Sequence, residues 1–397
     1  MAQIVINPRI RGFICTTAHP GGCAANVQAQ IAVAKAGGPG KGLGNVLIVG
    51  SSAGYGLAST ITALFGYGAK VLSVAFERGG NGEKTGSGGW YNLAEVHRVA
   101  KAEGKTIETI IGDAFSTPIT AQAIAALQAR FGKIDTFIYS LASPKRTDPV
   151  TGTTHSSVLK PIGPSYTSQT IDLDTDQIKP ITIAPANEDE IANTVKVMGG
   201  EDWERWVKAL AEAELLAPGF RTVAYSYIGP QITYAVYRKG TIGAAKDHLE
   251  ATALRMSRDL KAACGGGAWV SVNKALVTQA SSAIPVVPLY TSILYKVMKE
   301  NGTHEGTIEQ IVRLFAEQIA PGRTPKVDEA GRIRIDDREM RAPVQATIDQ
   351  VWQRITSENL LEVSDYTSFK REFRTLFGFE VDGVDYSVPV ETEVPLV

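Results

Sequence analysis

Between residues 225 and 246 the chain gathers phenols and an ammonium group: Tyr225, Tyr227, Tyr234, Tyr237 and Lys246. A phenol is a weak acid that can give a hydrogen bond or a proton to a substrate oxygen, and a neighbouring lysine lowers its pKa by charge. Side chains share one helical face when they stand about three or four residues apart. Four residues after Tyr234 and Tyr237, however, come Arg238 and Thr241. The better pair is Tyr237 with Lys246, which has eight residues between its members. Nine steps on an unbroken helix would put the two on opposite faces, so the pairing requires Gly240 to interrupt the chain before a helix capped at Thr241. A tyrosine with a lysine four positions on does occur at Tyr295 and Lys299, but in an apolar helix outside this cluster, where it reads as coincidence. Any one of these tyrosines alone would read as a packing residue.

An acid of this kind needs a reactant held beside it, and residues 45–77 have the form of a nucleotide crevice. Asn45 to Val49 is a short apolar run suited to a buried parallel strand, and it leads straight into Gly50, Ser51, Ser52, Ala53, Gly54, Tyr55 and Gly56. Helix formers follow from Leu57 to Phe65, Gly66 and Gly68 end them, and Val71 to Phe76 is a second apolar run. In such a strand-turn-helix, Gly50 permits the bend, Gly54 lets a pyrophosphate approach the main chain, and Gly56 lets helix and strand pack closely. The amides and dipole of the helix N-terminus face the phosphates. Glu77 lies twenty-one residues beyond Gly56, where a carboxylate accepts hydrogen bonds from the adenosine ribose hydroxyls and favours NADH over NADPH. Arg78 beside it argues the other way, because a guanidinium there can hold a 2′-phosphate. The GxxxGxG spacing is similar to that of short-chain dehydrogenases/reductases.

The remaining elements extend this crevice. After Glu77 a glycine-rich loop, RGGNGEKTGSGGWYN, precedes a helix from about Leu93 to Glu103. A third strand, Thr106 to Ile111, ends in Gly112, Asp113 and Ala114, which makes Asp113 a candidate acceptor for the adenine amine or an N-cap for the helix near Ser116. A helix over about 119–131 leads to a fourth strand, Asp135 to Ser140, ending in Leu141 and Ala142. Strands alternating with helices predict an α/β chain with a doubly wound, Rossmann-like parallel sheet and its ligand outside the carboxyl edge. From Pro144 to about Pro185 alternating Thr- and Ser-rich runs predict an inserted β-flap. Helix resumes at Glu188 and runs on through MGGEDWERWVKALAEAELL, with Trp203, Trp206, Val207 and Leu210 on one core-facing side. Thr222 to Ile228 is the fifth strand, WVSVNKA the sixth, RIRID an edge strand, and Val344 to Ile355 a helix. We divide the single Rossmann-like domain 1–397 into an N-terminal extension (1–44, ending in the glycine-rich stretch 37–44), a main cofactor half (45–143), a flap (144–200), a catalytic and substrate half (201–320) and a C-terminal extension (321–397).

Composition sets bounds. Lys plus Arg number 40 and Asp plus Glu 41, so no basic excess points to nucleic acid. The N-terminus lacks an apolar signal-like core, and the most apolar stretch, Ala283 to Val297, is broken by Pro285 and Pro288, so no membrane span is expected. Three cysteines without a CxxC fit a reduced cytoplasmic compartment. Cys15, His19 and Cys23 lack a fourth partner, and His304-Glu305 lacks the HExxH spacing, so no metal is expected.

Across nearly its whole length the chain resembles the single-chain bacterial trans-2-enoyl-CoA / enoyl-acyl-carrier-protein reductases, long relatives of the short-chain reductases. RGFICTTAHPGGC, GSSAGYGLAS, YSLASPKRTDP, VMGGEDWERW, AYSYIGP, YRKGTIGAAK, SSAIPVVPLY and FGFEVDGVDY carry the resemblance, and Tyr-x8-Lys is that family's distinguishing signature. The resemblance implies Tyr237 as proton donor, Lys246 as a cofactor ligand and Tyr227 in contact with the acyl thioester. It further implies NAD contacts at Gly50, Ser51, Ser52, Ala53, Gly54, Tyr55, Phe76, Glu77, Asp113, Ala114, Leu141, Ala142, Leu276, Val277 and Thr278. It implies a monomer that takes NADH and an enoyl thioester of acyl carrier protein or CoA, with Ala283 to Leu294 lining the acyl channel. Two rivals are a 3-oxoacyl ketoreductase of the same superfamily and a non-catalytic NAD-sensing protein.

Overall fold

The strand Asn45–Val49 (β1) lies in the interior of the main sheet, and four of its five residues, Val46 to Val49, are fully buried. Only a strand covered on both faces can be apolar without alternation. Leu47 and Val49 pack into a core with Phe137, Trp203 and Trp206, while Val46 and Ile48 pack into another with Ile31, Ile61 and Phe315. In this computed structural model, which describes residues 3–37, 40 and 42–396, β1 is flanked by Lys70–Ala75 (β2), Ile107–Ile111 (β3), Ile134–Tyr139 (β4), Leu216–Ser226 (β5), Gly267–Val272 (β6) and Ile333–Arg334 (β7). The sheet order is β7-β6-β5-β4-β1-β2-β3, with every pair parallel. Parallel pairing puts every strand's carboxyl end on one edge. The order reverses between β1 and β4, which opens a crevice there. Gly38, Pro39 and Lys41 of the glycine-rich stretch lie outside the described residues.

The predicted α/β sheet is therefore present, and RIRID does supply its edge strand through Ile333 and Arg334. The flap consists of two hairpins, Lys145–Thr147 with Thr154–Ser156 and Tyr166–Asp172 with Gln177–Ile183. The second is tied to the rest by Gln169 Nε2 donating to Trp352 O at 2.6 Å and Tyr166 Oη donating to Ile232 O at 2.6 Å. Among the described residues no helix is long and apolar enough to cross a membrane.

Several boundaries differ from expectation for local reasons. The helix after Glu77 begins at Gly88 rather than near Leu93, so GGWYN is helical. A Cβ on Gly89 would stand 2.1 Å from Glu77 Oε1, so glycine there makes room for the carboxylate rather than marking a loop. The long helix expected from Glu188 is cut at Gly199, whose backbone is extended, into Glu188–Met198 and Glu201–Glu212. Its aromatic stripe is core, with Trp203, Trp206 and Leu210 fully buried. β5 starts six residues early, at Leu216, with a register shift before Arg221. WVSVNKA leaves the sheet after Val272 because its later amides turn to side chains: Lys274 N donates to Gln310 Oε1 and Ala275 N to Glu339 Oε2.

Candidate active site

The glycine turn sits at the carboxyl end of β1. Gly50 has φ +84°, and a Cβ there would lie 2.1 Å from Ser140 O; one on Gly56 would lie 1.8 Å from Gly50 O. These contacts match the bend and the close packing expected of the two glycines. A Cβ on Gly54 would meet little besides Thr278 Cγ2, at 3.6 Å, so the main chain is open on that side and Thr278 stands beside it. Ala53 is the N-cap of helix Gly54–Ile61 and supplies no side-chain hydrogen bond, which leaves the first-turn amides to a ligand. Ser51 turns inward, donating to Val74 O at 3.2 Å.

One strand over, Phe76 is 79% exposed at the end of β2, a large apolar ring left facing outward. Glu77 beside it has one carboxylate oxygen on Ser52 Oγ at 2.5 Å and the other on Ser87 Oγ. The two hydroxyls fix the carboxylate and leave it lone pairs for ribose hydroxyls. Asp113 is exposed after β3, where its Oδ1 accepts from Phe115 N at 3.0 Å. The N-cap is Ser116, not Asp113. The carbonyl of Ala114 is taken by Trp206 Nε1 and Arg205 Nη2, both at 3.1 Å. Leu141 is half-buried and Ala142 exposed after β4. An uncapped helix start, an open glycine and a fixed carboxylate on one edge fit a dinucleotide.

Tyr237 and Lys246 are separated by the interruption that their spacing demands. Gln231–Tyr234 forms one helical turn, the chain continues in turns, and helix Thr241–Cys264 then starts with Gly240 as its N-cap. Thr241 is not the cap: its hydroxyl donates to Val158 O, and its amide donates to Lys160 O at 2.9 Å, both in the flap. A Cβ on Gly240 would come 2.4 Å from Val236 O in the preceding turn and 2.7 Å from that Lys160 carbonyl, so the turn and the flap together select glycine. Lys246, buried in the second turn, donates to Tyr225 O at 3.3 Å. Two residues on, the Tyr227 ring meets the Tyr237 ring edge-on with centroids 5.1 Å apart. Burial pushes the Tyr237 phenol up and pulls Lys246 down to about 8. Burial alone sets the direction for the phenol, and the expected lowering by Lys246, whose ammonium is on the Tyr225 carbonyl, is not among its causes.

Other expected residues take more structural places. Tyr55 donates to Lys274 O at 2.8 Å and packs on Tyr225 with centroids 5.7 Å apart. Leu276 and Val277 are buried, Val277 N donates to Tyr295 Oη at 3.1 Å, and Thr278 caps a short helix with Ser281. Tyr295 also donates to Glu372 Oε2 at 2.7 Å, which gives it a structural duty unrelated to a Tyr-x3-Lys site. Leu289, Tyr290, Ile293 and Leu294 are fully buried against Val344, Ile348 and Phe369, so this part of the expected acyl channel is core. His19 Nδ1 accepts from Gly22 N at 3.1 Å as a helix cap, and among the described residues no cluster is placed to hold a metal.

Sequence reasoning missed Ser87, Ser59 and Glu339. Ser59 Oγ lies 2.6 Å from Tyr225 Oη, and Glu339 Oε1 accepts from Tyr227 Oη at 3.2 Å. Ser87 was the one with a signal, as a serine just before two helical glycines. Glu339 stands in the charged run RIRIDDREMR, which reads as surface although Glu339 is fully buried.

Three family profiles match consecutive parts of the chain: the NAD(P)H binding domain of trans-2-enoyl-CoA reductase at residues 5–82, the trans-2-enoyl-CoA reductase catalytic region at 84–320, and an enoyl reductase FAD binding domain at 327–390. The last segment does not fit a flavin. Val344, Ile348, Val351, Phe369 and Phe373 spend its apolar faces on the core, and Glu339 is engaged by protein donors. An enoyl-[acyl-carrier-protein] reductase [NADH] of Saccharophagus degradans is 54% identical over 99% of both chains. A trans-2-enoyl-CoA reductase [NADH] of Clostridium perfringens is 53% identical over 98% of this chain and 99% of its own. The crystal structure of Treponema denticola trans-2-enoyl-CoA reductase in complex with NAD superposes with a TM-score of 0.94 at 48% identity, covering 99% of this chain and 100% of that one. With the glycine turn, the ribose-side carboxylate and the Tyr-x8-Lys pair all on one sheet edge, the chain belongs to the trans-2-enoyl-CoA reductase family.

Proposed function

We propose that this chain is an NADH-dependent oxidoreductase that reduces the trans-2 double bond of enoyl thioesters to the saturated acyl thioester, the last step of the fatty-acid elongation cycle, with Tyr237 as its acid. The ring contact between Tyr227 and Tyr237, two residues beyond the carbonyl that receives Lys246, is the observation that carries it. When bound, the reduced nicotinamide supplies a hydride to the β-carbon. Negative charge then develops on the thioester oxygen, and donors aimed there lower the barrier. Tyr237, kept protonated by burial, gives its hydrogen bond or proton to that oxygen, and Tyr227 donates from the adjoining side. Protonation at the α-carbon completes the saturated product. Lys246 would hold the nicotinamide ribose hydroxyls with its ammonium. Gly50 to Tyr55 and Thr278 would hold the pyrophosphate, Glu77 the adenosine ribose, Phe76 and Asp113 the adenine, and Leu141, Ala142, Leu276 and Val277 the nicotinamide; the open main chain at Gly54 and the exposed Phe76 ring support this assignment.

The test is NADH oxidation with crotonyl-CoA against a 3-oxoacyl-CoA. Turnover of the enoyl thioester alone supports this reading; turnover of the oxo compound alone makes the chain a ketoreductase, and NADH binding without turnover of either makes it a sensor. Relatives of nearly equal identity carry acyl-carrier-protein and CoA names, so the same assay with both carriers over a range of chain lengths assigns the natural one. We further infer a monomer in the cytoplasm, on the family resemblance; light scattering of the purified chain tests the monomer.

A further inference from the structure

Behind Tyr227 lies a carboxyl group that the reaction as derived does not use. Glu339 follows the edge strand β7 and is fully buried. Its Oε1 accepts from Tyr227 Oη at 3.2 Å and from Tyr290 Oη at 2.8 Å, and its Oε2 accepts from Ala275 N at 2.7 Å. Its main-chain carbonyl accepts from Gln345 Nε2 at 2.8 Å, which fixes the residue in place. One carboxyl group therefore joins the acyl-side phenol to the start of the segment Ala275–Thr278. That segment is also held by Tyr55 on Lys274 O and by Tyr295 on Val277 N.

A phenol has one hydrogen to give. While Glu339 is ionised, Tyr227 donates that hydrogen to the carboxylate, and a thioester oxygen must compete with a charged acceptor for it. A carboxylic acid is different: with a proton on Oε1 it donates to the Tyr227 oxygen, and the phenol's own hydrogen is free to turn to the substrate. We propose that Glu339 is a positioning residue for reduction, whose carboxyl proton decides whether Tyr227 presents its hydrogen to the carboxyl group or to the acyl oxygen. This rests on the enoyl-reductase reading given above.

The surroundings keep both states of Glu339 within reach. Burial and Asp336 favour the neutral acid, whereas Lys274, the Ala275 amide and Tyr290 favour the carboxylate, and the group is held up to about 7. Tyr55 and Tyr227 also face it, and both phenols are pushed well up by burial and by Glu339 itself. Lys274 is pulled down to about 8 by burial, against the opposing pull of Glu339, Glu372 and Glu305. Its Nζ donates to Ala275 O at 3.0 Å and lies 4.7 Å from the Tyr295 ring centre.

The experiment is the pH profile of kcat with crotonyl-CoA at saturating NADH, in the parent, Glu339→Gln, Tyr227→Phe and the double variant. In the parent, kcat is expected to fall on the alkaline side, approaching about tenfold per pH unit once the carboxyl has ionised. Glu339→Gln keeps the size, accepts from Ala275 N through its amide oxygen and donates permanently from its amide nitrogen toward Tyr227 and Tyr290, so that Tyr290 turns its own hydrogen elsewhere. It is expected to retain kcat within about threefold of the parent's acid plateau and to lose the alkaline fall. In the Tyr227→Phe background the same change is expected to leave kcat and its profile unmoved. NADH affinity, read by fluorescence, reports the fold of each variant independently of chemistry. An unchanged alkaline fall in Glu339→Gln overturns the proposal, as does the same loss of that fall with Tyr227 absent. Turnover of crotonyl-CoA by the parent tests the underlying function; the shape of the profile tests Glu339.

Discussion

The crevice at β1 to β4 and the side-chain cluster beside β5 to β7 are built for different chemistry from different parts of the chain. The first is mostly backbone: a turn with glycine at 50, 54 and 56, an uncapped helix start, and one carboxylate fixed by two serines. The second is mostly buried side chains: Tyr227, Tyr237 and Lys246 near the chain's middle, backed by Glu339 more than ninety residues later. A backbone site tolerates many side chains and few Cβ atoms. A side-chain site depends on desolvated groups that shift one another's proton affinities. Substitutions in the first should therefore act on NADH affinity, and those in the second on turnover.

The sharpest separation is expected from Tyr237→Phe. Loss of a positioned acid lowers kcat by about 10²–10⁴-fold, with NADH affinity unchanged; an equal loss of affinity would erase the distinction between the two regions. Gly56→Val is the mirror case. Its Cβ would begin 1.8 Å from Gly50 O. Strain of about 3 kcal/mol at the turn corresponds to roughly a hundredfold weaker NADH binding, read by fluorescence titration. A variant that bound NADH normally but lost kcat would place the turn in the wrong region.

Lys246 belongs to both regions, and pH exposes this. It is charged below about 8 and neutral above, so NADH affinity in the parent is expected to weaken as pH rises through that value. Lys246→Met, with no ammonium to lose, is expected to bind NADH about tenfold more weakly at neutral pH and to show no such step; persistence of the step would assign it to another group. The smallest effect is at Glu77. Replacing the charged acceptor by glutamine removes about 1.5 kcal/mol of ribose binding and shifts NADPH-over-NADH preference by about tenfold, measured as the ratio of kcat/KM values. No change in that ratio would give cofactor choice to Arg78.

The two regions were also unequally legible in the sequence. β1, its glycine turn and Glu77 lie within one continuous stretch, and each element's period or residue type states its job locally. The break at Gly240 was legible from the Tyr237–Lys246 spacing, since nine helical steps cannot bring two side chains together without one. What could not be read was distance without pattern. GGWYN looks like loop because glycine is a poor helix former, yet Gly89 is where Glu77 needs space. Glu339 sits among arginines and aspartates, and only the return of the chain after β7 buries it beside Tyr227. The apolar run at Leu289 to Leu294 has the composition of a channel wall as much as of a core helix, and only packing against Val344 and Phe369 assigns most of it to the core.

The most direct test of the Tyr237 assignment is a crystal structure of the chain with NAD and a saturated acyl-CoA. The expected result is the Tyr237 hydroxyl at about 2.6–3.2 Å from the thioester oxygen and the Lys246 ammonium on the nicotinamide ribose. A Tyr237 hydroxyl turned away from the thioester, with Lys246 still on the Tyr225 carbonyl and remote from the sugar, would contradict it.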